Sequence, residues 1–297
     1  MRINHWVSAF RFRTLFLSLS CIGGGLICAM LEETLKMSLV IFTILTSLFL
    51  QILSNLANDY GDSIHGADHK GRGGPVRAVQ AGHISKEQMK TGIIVLSLLS
   101  LISGISLLIL SVAVIGKIGA GILFIFGLLS IVAAIAYTNG KKPYGYIGLG
   151  DIAVFIFFGM IGVLGTFYLQ IGELNDNCFL LAFAYGFLSV GVLNLNNMRD
   201  LDSDKTAGKL SIPVRLGLVQ SKMYHYGLLA GAGICFTIFT FNTDLNWLFL
   251  LPAWALILYN ANAVYAVKIP GGFDPLLKHL SVSTFIITLL LFLTQLI

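Results

Sequence analysis

The sequence predicts an all-α, polytopic membrane protein whose nine transmembrane helices form one bundle. Three observations predict it: an apolar composition, nine long apolar segments, and a basic-residue bias that alternates from loop to loop. Of the 297 residues, 56% are hydrophobic and 11% are charged, and the mean hydropathy is +0.86. A soluble domain carries roughly 25% charged residues. A chain this apolar cannot bury its surface in one aqueous core, so a bilayer is its expected solvent.

Each element follows from the need for about 20 mostly apolar residues per span. Nine segments meet it, at about 14–31, 37–56, 91–110, 116–136, 147–169, 178–195, 224–241, 245–267 and 279–297. Met1 to Arg13 is polar and basic, and no small-residue cleavage site follows a short apolar run, so the first segment is expected to be a true span. Little more than Gly116-Lys117-Ile118-Gly119 separates the third from the fourth. No internal repeat is visible, and residues 1–297 are expected to form a single domain.

Loop charge sets the expected topology. With the N-terminus inside, the spans place all but Lys36 and Lys117 of the 19 Lys and Arg residues on the inner side, as the positive-inside rule demands. The same rule accounts for the net charge of +5 without a nucleic-acid partner. Cys21, Cys28, Cys178 and Cys235 form no CxxC pair, so neither a disulfide framework nor a cysteine metal site is indicated. The long inner loops, about 57–90 and 196–223, hold most of the aspartates. Chemistry is therefore expected on the cytoplasmic face of a cell membrane.

Two acidic arrays stand at the inner ends of spans. The first is Asn55-Leu-Ala-Asn58-Asp59-Tyr60-Gly61-Asp62, followed by Gly66 and Asp68. On a helix, Asn58 and Asp62 share a face, as do Asn55 and Asp59; the helix is expected to end near Gly66, with Asp68 in the loop. The second is Asn196-Asn197-Met198-Arg199-Asp200-Leu201-Asp202-Ser203-Asp204. Asn196, Asp200 and Asp204 fall within an arc of roughly 80°, and Asp202 points away from it. Like charges at this spacing repel unless a divalent cation lies between them. Oxygen-only ligands suit Mg2+, which takes one or two carboxylates plus substrate phosphates. The expected metal ligands are Asp59, Asp62, Asp68, Asp200 and Asp204, with Asn58 and Asn196 beside the phosphates.

Basic residues follow both arrays, in Lys70-Gly71-Arg72-Gly73-Gly74-Pro75-Val76-Arg77 and at Lys205, Lys209 and Arg215. Arg77 and Lys209 are the leading diphosphate ligands. A third element, Tyr137-Thr138-Asn139-Gly140-Lys141-Lys142, ends the fourth segment; alone it would read as a headgroup anchor with topogenic lysines. Asp151 reads as the N-cap of the fifth span, and His65, His69 and His83 read as solvated loop residues.

Together these elements resemble the UbiA superfamily of intramembrane aromatic prenyltransferases, nine-helix bundles with two NxxxDxxxD-type motifs and a YxxxK motif. Asn58 and Asp62 match the first motif, Asn196, Asp200 and Asp204 the second, and Tyr137 and Lys141 the third. Gly66 departs from the third position of the first motif, with Asp68 two residues on. That pattern, with Gly74-Pro75-Val76-Arg77 and Asn196-Asn197-Met198-Arg199-Asp200, is similar to the 1,4-dihydroxy-2-naphthoate polyprenyltransferase branch. The resemblance implies an Mg2+-dependent enzyme whose substrates are a polyprenyl diphosphate and 1,4-dihydroxy-2-naphthoate, working in membrane lipid. It implies catalytic roles for Tyr137 and Lys141, with Lys141 also on the diphosphate, and Lys142 on the acceptor's carboxylate. Phe155, Phe157 and Phe158 are candidates to line the isoprenoid path, and lipid-facing packing explains them equally well. The rival readings are a relative using another acceptor, such as 4-hydroxybenzoate, homogentisate, haem or chlorophyllide, and a cation transporter. Transport carboxylates belong near the midplane, whereas these lie at one face.

Overall fold

The computed structural model describes residues 3–33, 35–66 and 76–295. A short helix, α1 (Ile3–Phe10), precedes the first span, α2 (Phe12–Glu32); α3 (Met37–His65) and α4 (Lys86–Ala136) follow. A span then runs through α5 (Gly150–Val154), a π-helical stretch (Phe155–Leu164) and α6 (Gly165–Ile171). The chain continues through α7 (Asp176–Arg199), the short α8 (Leu201–Thr206), α9 (Ile212–Asn242), α10 (Leu250–Ala266) and α11 (Asp274–Leu293). Eight helices among the described residues are long and apolar enough to cross a membrane.

The eight helices make nine passes, because α4 is two arms. Its 51 residues would extend about 76 Å as a straight helix, against a hydrocarbon thickness of about 30 Å. Gly116 breaks it with φ 68° and ψ 173°, a conformation that a side chain disfavours. The arms run back along each other: Met89, Ile93 and Leu96 pack with Leu53, Leu56 and Ala57 of α3, and so do Ile131, Ala134 and Ile135. The turn expected around Lys117 thus hinges on a single glycine. α9 carries a similar break at Gly217.

The main core gathers around α7, the most buried span. Tyr185 of α7 meets Phe236 of α9 edge-on, and Leu181, Leu188 and Leu195 pack with residues of α2, α10 and α11. A second core joins α1, α3 and α4. Between the two lies a cavity of about 370 Å³. Its walls come from α2, α3, both arms of α4, α7 and the π-helical stretch. Such π segments recur at functional sites, because the extra residue per turn re-aims side chains. Here Phe157, Phe158 and Ile161 line the cavity, whereas Phe155 is absent from the lining and packs at a tilt against Phe183 and Phe187. The expectation of three lining phenylalanines is corrected to two.

Candidate active site

Both acidic arrays end at the mouth of this cavity, and the local structure explains how. Helix α3 runs to His65 and closes on Gly66, whose φ is 74° and whose N–H bonds the carbonyl of Asp62. Glycine takes this left-handed conformation without steric cost. Asp68 itself lies outside the described residues. At the second array α7 ends at Arg199, yet the N–H of Asp200 bonds Asn196 O and that of Asp204 bonds Asp200 O. One i→i−4 bond thus stands on each side of the break, while Asp200 itself leaves helical geometry with φ −94° and ψ 13°.

Each buried carboxylate has basic company. Arg77 Nη1 donates to Asp62 Oδ2 at 2.5 Å and to the Asn58 carbonyl at 3.1 Å. Tyr146 Oη donates to Asp62 Oδ1 at 2.9 Å. Asp59 pairs with Arg11 and lies 3.7 Å from Arg77 Nε. Asp200 receives Arg199 through Nε at 2.9 Å and Nη2 at 2.7 Å. Asp204 lies 3.4 Å from Lys209 Nζ and accepts from Ser211 Oγ at 3.2 Å.

Lys209 is the point where the arrays meet. Its N–H bonds Asp204 O, and the next N–H bonds Tyr146 O, so the loop after α8 is pinned to the turn before α5. Its ammonium sits 5.8 Å from the centre of the Tyr146 ring. Burial opposes the charge, but Asp204, Asp62 and Asp200 outweigh it and hold Lys209 protonated above the usual lysine range. Burial pushes the Asp204 carboxyl up; Lys209 draws it down, while Asp200 and Asp62 add to the rise. Tyr137 is pushed up to about 12, chiefly by burial, and so keeps its proton.

Of the residues expected from the sequence, Asn58, Asp62, Arg77, Tyr137, Asn196 and Lys209 line the cavity. Asp59, Asp200 and Asp204 are buried just behind its wall. Lys141 and Lys142 are exposed and are absent from the lining. The correction has a simple cause: α4 ends at Ala136, so Tyr137 and Lys141 are not one helical turn apart on a shared face. Asp151 is also corrected, since Leu149 is the N-cap and Asp151 accepts instead from Tyr224 Oη at 3.0 Å. Sequence reasoning missed Arg11 and Arg13 as site residues, along with Arg199 and Tyr146. Arg11 and Arg13 looked topogenic, and only tertiary contact separates a headgroup charge from a site charge.

The donor set suits a hard divalent cation in type: four buried carboxylates and the amide oxygens of Asn58 and Asn196. Among the described residues these carboxylates stand in pairs with basic groups, and no three acidic or histidine groups close on one point.

An apolar cavity with an ionic mouth, set among membrane-length helices, suits a lipid that bears an anionic headgroup. Residues 17–272 match the model of the UbiA prenyltransferase family, and the chain belongs to that family: it is a multi-pass membrane prenyltransferase. It is 40% identical to the 1,4-dihydroxy-2-naphthoate octaprenyltransferase of Escherichia coli (strain K12), over 98% of this chain and 94% of that one. It is 39% identical to the protein of the same name from Haemophilus influenzae, over 97% and 94%. Among solved structures, the apo UbiA homolog from Aeropyrum pernix K1 has a TM-score of 0.72 at 15% identity, covering 100% of both chains. The UbiA homolog from Archaeoglobus fulgidus bound to DMAPP and Mg2+ has a TM-score of 0.62 at 17% identity, covering 98% of both. These two likenesses concern the fold.

Proposed function

We propose that this protein is a 1,4-dihydroxy-2-naphthoate polyprenyltransferase. It moves a polyprenyl group from polyprenyl diphosphate to 1,4-dihydroxy-2-naphthoate, with loss of diphosphate and CO2, and yields demethylmenaquinol. The observation that carries this reading is the cavity that is ionic at Asp62, Arg77 and Lys209 and apolar along Phe157, Phe158 and Ile161. Full-length relatives at about two-fifths identity point to the acceptor. Residues 1–297 act as a single domain, placed in the cell membrane with the N-terminus and the site on the cytoplasmic side.

Mg2+ would be held by Asp62, Asp200 and Asp204, with Asp59 and Asp68 as further candidate ligands, and would supply positive charge to the diphosphate when bound. The chain's own groups do the rest. Arg77 and Lys209 donate to the diphosphate as the C–O bond breaks and its electron pair leaves with the phosphate oxygen. Asn58 and Asn196 hold the diphosphate's flanks. Tyr137 keeps its proton and donates it as a hydrogen bond. These donors are fixed before the reaction, which is what makes them effective. The exposed Lys141 and Lys142 add positive potential that draws anionic substrates to the mouth.

Phe157, Phe158 and Ile161 keep water from the allylic cation. The electron-rich ring attacks the cation through the carbon bearing the carboxylate. That carboxylate leaves as CO2, and its bonding pair returns to the ring, so charge and atoms balance.

The test is a product assay: purified protein, Mg2+, a polyprenyl diphosphate and 1,4-dihydroxy-2-naphthoate, with lipid extracts read by mass spectrometry. Demethylmenaquinol with stoichiometric CO2 supports the reading. Product with 4-hydroxybenzoate or homogentisate only would keep the family and discard the acceptor.

A further inference from the structure

Resting on the naphthoate reading above, we infer that Arg13 binds the carboxylate of the aromatic acceptor, against a wall of amide and hydroxyl groups that receives the ring hydroxyls. Arg13 stands in the first turn of α2 and lines the cavity. Its Nη1 is shared between the two oxygens of Asp274 at 3.2 and 3.3 Å. Asp274 is bound more closely by Arg199, at 2.6 Å, so Arg13 is the looser of its two partners. Among the described residues, Nε and Nη2 of Arg13 meet no acceptor. Two adjacent guanidinium donors with no acceptor match the bidentate geometry of a carboxylate.

The other cations of the cavity are engaged by the acidic arrays: Arg11 by Asp59, Arg77 by Asp62, and Lys209 by Asp204. Lys142, the alternative, is exposed and outside the lining.

The wall beside Arg13 fits the rest of such a molecule. Thr14, Ser18, Gln51 and Asn55 line the same cavity. Their donors are used among themselves and on nearby backbone. Ser18 donates to Gln51 Oε1 at 2.9 Å, Gln51 Nε2 to Thr14 Oγ1 at 3.2 Å, and Asn55 Nδ2 to Thr14 Oγ1 and Phe10 O, each at 2.9 Å. With the donors committed, the second lone pairs of the amide oxygens are what such a wall offers a ligand. A ring with two hydroxyl donors and one carboxylate is complementary to lone pairs plus one arginine fork. A prenyl tail is not, and the diphosphate has its own cations in Arg77 and Lys209.

The test compares 2-naphthoate with its neutral isostere 2-naphthamide as competitive inhibitors against the acceptor. The wild-type enzyme should prefer the acid. Arg13→Ala should reduce that preference by roughly 10- to 100-fold, the value of a charge-assisted pair. Naphthamide affinity and the KM for polyprenyl diphosphate should stay within about twofold. Arg13→Lys, which keeps the charge facing Asp274, should retain a weakened preference. An undiminished acid preference in either variant overturns the inference, as does a KM for the diphosphate that rises as much as the acid's Ki. The naphthoate reading fails separately, if wild-type protein forms no naphthoate-derived product.

Discussion

Replacing Lys209 by methionine should destabilise the protein at neutral pH, much less at acid pH, and cripple turnover at both. Lys209 is 5% exposed and Asp204 is 3% exposed, with 3.4 Å between Nζ and Oδ1. At an effective dielectric constant of about 20 their gross attraction is about 5 kcal/mol, most of it offset by the desolvation of both groups. Methionine fills the space and leaves Asp204 buried without its cation. An ionised, unpaired carboxylate there costs about 3–5 kcal/mol, but protonation offers an escape. Burial, Asp200 and Asp62 already raise the Asp204 carboxyl, and only Lys209 and Ser211 lower it. A folded value above the unfolded one means that the folded state binds the proton more readily, so falling pH stabilises the variant relative to its unfolded chain. Lys209 is itself raised, so its own contribution is complete below its ordinary value of 10.5 and does not vary over this window. The expected loss is about 2–3 kcal/mol at pH 7.5 and under about 1 kcal/mol at pH 5. Removing a preorganised donor should lower kcat/KM by about 10²- to 10³-fold. Thermal unfolding in detergent at the two pH values, with prenyl transfer measured alongside, checks both parts. Equal melting at both pH values, with kcat/KM within about threefold of wild type, would refute the placement of Lys209 between the arrays.

The remaining expectations concern the ligands, the rim and the packing behind the site. Asp62→Ala and Asp200→Ala should each lower turnover by about 10³-fold or more while the protein remains folded in detergent; full activity in either would sink the carboxylate site. Turnover should vanish in EDTA and return with Mg2+, and product formed in metal-free buffer would exclude the proposed ion. Lys141→Ala should cost at least about tenfold less activity than Lys209→Met, as assayed with saturating acceptor; the reverse order would show that the Tyr137–Lys142 turn closes onto the substrate. At Gly61 an added Cβ would stand 2.5 Å from both the carbonyl oxygen and the hydroxyl of Thr138. Gly61→Val should therefore push α3 off the turn, cost about 1–3 kcal/mol and lower activity through displaced Asp62; unchanged melting and turnover would contradict this packing.

Class and pass number were legible in the sequence because hydrophobic periodicity and loop charge are local, additive properties. Even the division of α4 was legible, since Gly116 interrupts a run twice the bilayer's thickness. The first aspartate array was legible for the same reason: positions four apart on a helix face one way, and α3 runs through Asp62 to His65. What failed was inference across a helix end. Tyr137 and Lys141 look paired only while a helix joins them, and α4 stops one residue too soon. Phe155 was lost to a related cause, because a π-helical stretch does not repeat at 3.6 residues per turn.

By itself, then, the sequence determined a multi-pass helical protein with two acidic arrays at one face, since segment length, polarity and helical spacing carry that information along the chain. Only the tertiary structure decided which basic residue serves which carboxylate. Arg11 reaches Asp59 across 48 positions, and Arg13 reaches Asp274 across 261. Ion pairs are short-ranged contacts whose partners are chosen by helix packing, and no local spacing encodes which two helix ends will meet.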